Sequence, residues 1–266
     1  MANDIAQKVN DFYQAKSELD FFDLNLWWDP VHNQGFKKFA DFGDLYDSLT
    51  QYPIRKAVLT HAECNKYDPK TGNAALVRLI AGRDNLYGAM VLTADHLISG
   101  EDVKKYIDSL VDARLVIARL FPKLHNHPMK KNALGDVFQH LNDRRIPLVL
   151  WHAQTTWDTI ESLCTDYPDL PVIVEGNDVK LLYHNRFYVP LFKKLSNFYL
   201  ETHNVILFKE LDVLAGIHPD KLIFGSYYQY NNPDTAMASI VFGNMDKPVK
   251  RLIAHGNLDR LIQAVR

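Results

Sequence analysis

Ile146-Pro-Leu-Val-Leu-Trp-His152 is a buried-strand pattern running straight into a polar residue, and the second half of the chain repeats it three times. The repeats are Leu170-Pro-Val-Ile-Val-Glu175, Asn197-Phe-Tyr-Leu-Glu-Thr202 and Lys221-Leu-Ile-Phe-Gly-Ser-Tyr227. Short apolar runs without polar alternation suit strands covered on both faces, as in parallel sheets. Helix-length stretches separate them. Strand, then functional group, then helix is the order of a (β/α)₈ barrel, whose active sites lie at the carboxyl ends of its strands.

Four further strand candidates precede these, around residues 20–27, 54–61, 86–93 and 114–121. Most of the eight start roughly 25–35 residues apart, the length of a βα unit. The connecting segments have helical spacing. Ala75, Leu76, Leu79 and Ile80 share one face, and so do Leu134, Val137, Phe138 and Leu141. Thr156 is placed to cap the helix that follows it, and Tyr167-Pro168 ends that helix because proline has no amide proton to continue it. Residues 3–17 read as a helix ahead of the first strand. No Gly-rich phosphate loop follows the first strand, which disfavours an open doubly wound sheet. The expectation is an α/β protein, a single TIM-barrel domain over residues 1–266.

Composition narrows the function classes. Apolar residues make up 47% of the 266 positions, enough for a large core, and the net charge of −2 gives no basic footprint for nucleic acid. Met129-Lys-Lys131 is too short a basic stretch to provide one. No apolar run approaches the ~18 residues of a membrane span. Cys64 and Cys164 form neither a CxxC motif nor a disulfide framework. The start of the chain lacks a signal-peptide core. A cytoplasmic protein with a small-molecule ligand is expected, neither nucleic acid nor membrane being a partner; a homo-oligomer stays open.

Four stretches resemble the amidohydrolase-related family of metal-dependent hydrolases, the second amidohydrolase group. They are Tyr167-Pro-Asp-Leu-Pro-Val-Ile-Val174, Leu195-Ser-Asn-Phe-Tyr-Leu-Glu-Thr202, His218-Pro-Asp-Lys-Leu-Ile-Phe-Gly-Ser226 and Ile253-Ala-His-Gly-Asn-Leu-Asp-Arg-Leu-Ile262. The resemblance runs from about residue 20 to the C-terminus, and their order and spacing carry it. It implies a distorted TIM barrel with a metal site. This chain departs from that site. Where the family's first strand ends in Asp-x-His-x-His, the sequence reads Asp23-Leu24-Asn25-Leu26-Trp27, and amide and indole are poor substitutes for imidazole. The strand-five His is kept as His152, the strand-six His corresponds to Glu175, and the strand-eight Asp to Tyr227. The degenerate set implies no firmly bound cofactor, and at most a weakly held zinc or manganese on His152 and Glu175.

The remaining strand-end groups give the candidate site. His152, Glu175 and Tyr227 are the expected catalytic groups, with a His–carboxylate pair as acid and base and the phenol polarising a carbonyl. Each also has a plainer reading: a packed histidine, a carboxylate paired with Arg119, a tyrosine plug. Arg119 matches the basic residue that often ends strand four in this family and would grip an anionic group. Asn25, Trp27, Gln154, Asn177 and Tyr228 are expected to line the pocket, with Trp28 as wall and Tyr230 nearby. His61 is a weaker candidate, His125 and His127 read as surface loop, and His218 falls at the barrel bottom. No Gly-x-Ser-x-Gly elbow supports a nucleophilic serine. The activity implied is hydrolysis of a lactone, amide or ester with little or no metal. The alternatives are an inactive ligand-binding barrel and a decarboxylase-type member.

Overall fold

A computed structural model describes residues 2–31, 35–176, 181–207 and 209–266. After an N-terminal helix, Ala2–Ser17, eight parallel strands alternate with helices: β1 Phe21–Trp28, β2 Ile54–His61, β3 Leu86–Val91, β4 Leu115–Leu120, β5 Leu148–Trp151, β6 Val172–Glu175, β7 Phe198–Glu201 and β8 Leu222–Ile223. They are hydrogen-bonded in chain order from β1 to β8. β8 meets β1 through the Leu24 N–H to the Phe224 carbonyl, 3.0 Å, and the Trp27 N–H to the Tyr228 carbonyl, 2.6 Å. The barrel is thereby nearly closed, as expected.

Local chemistry sets the boundaries. Asp68 accepts from the Thr71 N–H and Pro69 opens the helix Pro69–Ile80, where its missing donor costs nothing. Thr156 caps Trp157–Asp166 by accepting from the Thr159 N–H, and that helix stops at Tyr167 before Pro168. Two of the family-like stretches contain asparagines that tie loops together. Asn197 donates to the carbonyls of Cys164, Tyr167 and Leu170, while Asn257 donates to those of Pro219 and Leu222.

Alternation of side chains along each strand makes two packed layers. The inner one takes Phe22 and Leu24 from β1, then Val58, Ala89, Ile117, Val149, Ile173, Tyr199 and Ile223, with Leu258, Leu261 and Ile262 of the helix Asn257–Gln263 packed against it. Burying such an aliphatic side chain is worth about 1.5–3 kcal/mol. Two residues further along the same strands, on the same inward phase, come Arg119, Glu175 and Glu201. The polar groups of the mouth therefore stand directly on an apolar floor.

Candidate functional site at the strand ends

A bulge in β1 orients its end. Asp23 pairs with Ala57 and Leu26 with Leu59, so three steps on β1 match two on β2. The extra residue shifts the alternation and turns Asn25 and Trp27 inward, a use of bulges common beside functional sites. Asn25 Oδ1 then accepts from the Trp27 indole N–H at 2.7 Å and from Arg119 Nη2 at 3.2 Å. Arg119 Nη1 donates to Glu175 Oε1 at 2.5 Å, and the guanidinium lies 5.4 Å from the Trp27 ring. Arg119 is 1% exposed and Glu175 fully buried. Burial pushes the Glu175 carboxyl above its usual range, Arg119 opposes this, and Glu201 adds to it.

Glu201 belongs to a second pair that the sequence reading missed. Its carboxylate meets His203 Nδ1 and also accepts from the His203 N–H at 2.9 Å. A Cβ on Gly225 would lie 2.2 Å from Glu201 Oε1, so the glycine of the Phe224-Gly225-Ser226 stretch makes room for this carboxylate. The Glu-x-His spacing at the end of β7 was the signal available, since residues two apart share a face. Asp23 accepts from the N–H groups of Asn25 and Ser226, both at 2.9 Å, and from the Ser226 hydroxyl.

Burial nevertheless pushes the Asp23 carboxyl up to about 6 from 3.8, the Ser226 and Asn25 hydrogen bonds opposing. A raised folded-state value means that this group's stabilising contribution is complete below pH 3.8 and is lost as pH rises through about 6. At about 1.4 kcal/mol per pH unit, a shift of 6 − 3.8 corresponds to about 3 kcal/mol. Asp23→Asn, which cannot titrate, is thus expected to lose ground to wild type by up to that amount as pH falls from 7 to 4. Urea unfolding across this range measures it; parallel curves for the two proteins would contradict the assignment.

Tyr227 covers this cluster. It adopts a left-handed φ of 57°, unfavourable for a residue with a Cβ, and its ring stacks on His203 at 5.3 Å with Trp27 edge-on at 6.2 Å. Tyr227 is 6% exposed and Trp27 2%, and both pack with Phe121 and Val91. Aromatic rings thus close the barrel axis over the Arg119–Glu175 pair.

Several expected site residues are placed differently. Tyr228, expected in the lining, is fully buried in the outer layer, with its hydroxyl 2.8 Å from Ser48 Oγ and its ring against Phe39 and Tyr52. Gln154 accepts from the N–H groups of Lys123 and Leu124 and so joins the loops after β4 and β5. Asn177 lies outside the described residues. His61 accepts the Glu63 N–H, and His125 and His127 lie in a loop whose neighbouring residues 123, 124, 126 and 128 are exposed, the two rings themselves being half-buried. Trp28 packs in the outer layer.

The expected His152–Glu175 acid–base pair also needs correction. The imidazole does meet Glu175, but through the backbone carbonyl, 3.2 Å from Nδ1, while the carboxylate faces inward to Arg119. Glu175 lies on the inward phase of its strand. His152 follows β5 in a 3₁₀ turn, one step off that phase. Its neighbours are Trp157, stacked at 6.0 Å, and His184, at 4.8 Å. Burial lowers the His152 pKa, and the positive charge of Lys123 adds to the effect. His184, on the loop after β6, carried no strand-end signal.

The donor set does not fit the metal centre that the family resemblance implies. Among the described residues no group of three or more His, Cys, Asp or Glu side chains is arranged to hold a metal ion. Arg119 already engages Glu175, His203 engages Glu201, and Ser226 engages Asp23.

No family model matches this chain, and neither does any curated protein. Solved structures do. It is similar to an uncharacterised TIM-barrel protein from Bordetella bronchiseptica, with 14% identity, a TM-score of 0.71 and coverage of 92% of this chain and 99% of that one. A 2,6-dihydroxybenzoate decarboxylase from Rhizobium gives 15% identity and a TM-score of 0.66 over 92% and 99%. A protein named amidohydrolase II gives 13% and 0.67 over 91% and 99%. At these identities the likeness establishes the architecture: the chain folds as the same eight-stranded β/α barrel.

Proposed function

We propose that the protein is a metal-independent, amidohydrolase-like hydrolase of small polar carbonyl compounds (lactones, esters or amides), with its base at the barrel rim. One observation carries this reading. His152 is held neutral by burial, its Nδ1 is engaged by a carbonyl, and its Nε2 is buried with no hydrogen-bond partner among the described residues. A neutral imidazole with one nitrogen anchored and the other unused is a general base for water. Arg119 and Glu175 hold the barrel axis rather than the substrate in this reading, and Tyr227 closes it.

The second reading is a barrel that binds a small ligand at its rim without turning it over. The barrel likeness to a dihydroxybenzoate decarboxylase keeps decarboxylation within the same test. Purified protein, dialysed against chelator, should hydrolyse at least one member of a lactone, ester and amide panel, with well under one equivalent of zinc, manganese or nickel by elemental analysis. Stoichiometric metal, or activity abolished by the chelator, would overturn the metal-independent assignment. A thermal shift without turnover would favour the binding reading, and loss of carbon dioxide from a hydroxybenzoate would favour the decarboxylase.

A further inference from the structure

Two imidazoles at the rim have proton positions dictated by partners that can act in one direction only. His152 Nδ1 lies 3.2 Å from the Glu175 carbonyl oxygen, which can only accept, so Nδ1 carries the proton and Nε2 the lone pair. His184 Nδ1 lies 3.0 Å from the Trp157 indole nitrogen, which can only donate. There the lone pair is on Nδ1, and Nε2 carries the proton. The two rings are 4.8 Å apart, inclined at 61°, with Trp157 against both. Side by side they offer one acceptor and one donor.

We propose that His152 and His184 form a catalytic base–donor dyad, which makes His184 a further catalytic residue and a carbonyl with a leaving group its substrate class. The proposal rests on the hydrolytic reading above. In the step it implies, His152 Nε2 takes a proton from water as the water oxygen bonds to the carbonyl carbon. The C=O π pair moves onto oxygen, where the His184 Nε2–H donates to it. A neutral imidazole serves here, because a donor placed at a developing oxyanion binds it more strongly than the ground-state carbonyl. When the intermediate collapses, the bond to the leaving oxygen or nitrogen breaks with its electron pair. The His152 imidazolium then returns the proton to that atom. Acid and alcohol, or acid and amine, depart, and both histidines regain their starting protonation.

A packing role alone would also place His184 here, since Trp157 stacks on Phe187 at 6.2 Å and His184 lies within the same aromatic group. Proton positions separate the two. In ¹⁵N-histidine-labelled protein, NMR should find the His152 proton on Nδ1 and the His184 proton on Nε2. Trp157→Phe keeps a ring but removes the indole N–H. It should release the His184 tautomer and lower kcat about 10-fold, with KM changed less than twofold. His184→Ala should lower kcat by about 10²-fold, the scale of one lost oxyanion donor. His152 protonated on Nε2, His184 protonated on Nδ1, or full activity in His184→Ala would overturn the dyad. Correct tautomers with no turnover by the wild-type protein would count against the hydrolytic reading, and with it the catalytic role of the pair, while leaving the proton assignment intact.

Discussion

Glu175→Gln is expected to lower the melting temperature by roughly 10 °C, because it leaves the Arg119 guanidinium buried without a counter-charge. Arg119 is 1% exposed and reaches Glu175 at 2.5 Å, with Asn25 as its other acceptor. Removing one partner of such a pair typically costs about 3–5 kcal/mol, and each kcal/mol shifts the midpoint of a domain near this size by roughly 2–4 °C. Arg119→Met should do comparable damage by stranding the carboxylate. Replacing both, as Arg119→Met with Glu175→Leu, should recover most of the loss, since apolar side chains of similar volume commonly substitute for a buried ion pair at no net cost. Thermal unfolding followed by circular dichroism decides. Equal melting temperatures for wild type and Glu175→Gln would remove the pair from its structural role and return Glu175 to the list of bases.

The second large effect concerns His152. His152→Ala should reduce turnover of the best panel substrate by about 10²–10³-fold, the range of a lost general base, while melting changes far less than in Glu175→Gln. The pH dependence follows from the direction of the shift. Burial lowers the His152 pKa below 6.5, so the base is neutral at pH 7 and above, and the rate should fall only as pH drops through that lowered value. The same depression means that its stabilising contribution is fully present above pH 6.5 and is lost as pH falls through the folded-state value. A rate that falls already between pH 8 and 7, or a His152→Ala protein with wild-type kcat, would exclude His152 as the base.

The two variants together separate the roles that a strand-end reading merges. Glu175 ends β6, His152 follows the neighbouring β5, and the two touch through a backbone carbonyl. One supports the axis and the other faces the rim, so stability and turnover should respond to different substitutions.

The barrel itself was legible from residue order. Apolar runs such as Leu148–Trp151 and Val172–Glu175, helical spacing between them, Thr156 as a cap and Tyr167-Pro168 as a stop are local patterns, and local patterns suffice for strands, helices and a parallel alternation. The same reading expected a depleted ligand set, since the replacement of imidazole by the amide of Asn25 and the indole of Trp27 is read from side-chain identity alone. Which of those side chains meet was decided by tertiary structure. Pairing across the mouth depends on register, so a one-residue bulge in β1 turned Asn25 and Trp27 toward Arg119, and a single step of phase separated His152 from the Glu175 carboxylate. Tyr227 and Tyr228 are adjacent in sequence yet lie in different layers. His184 reaches His152 from a loop with no periodicity to reveal it, since a contact made by chain folding leaves no spacing in the sequence.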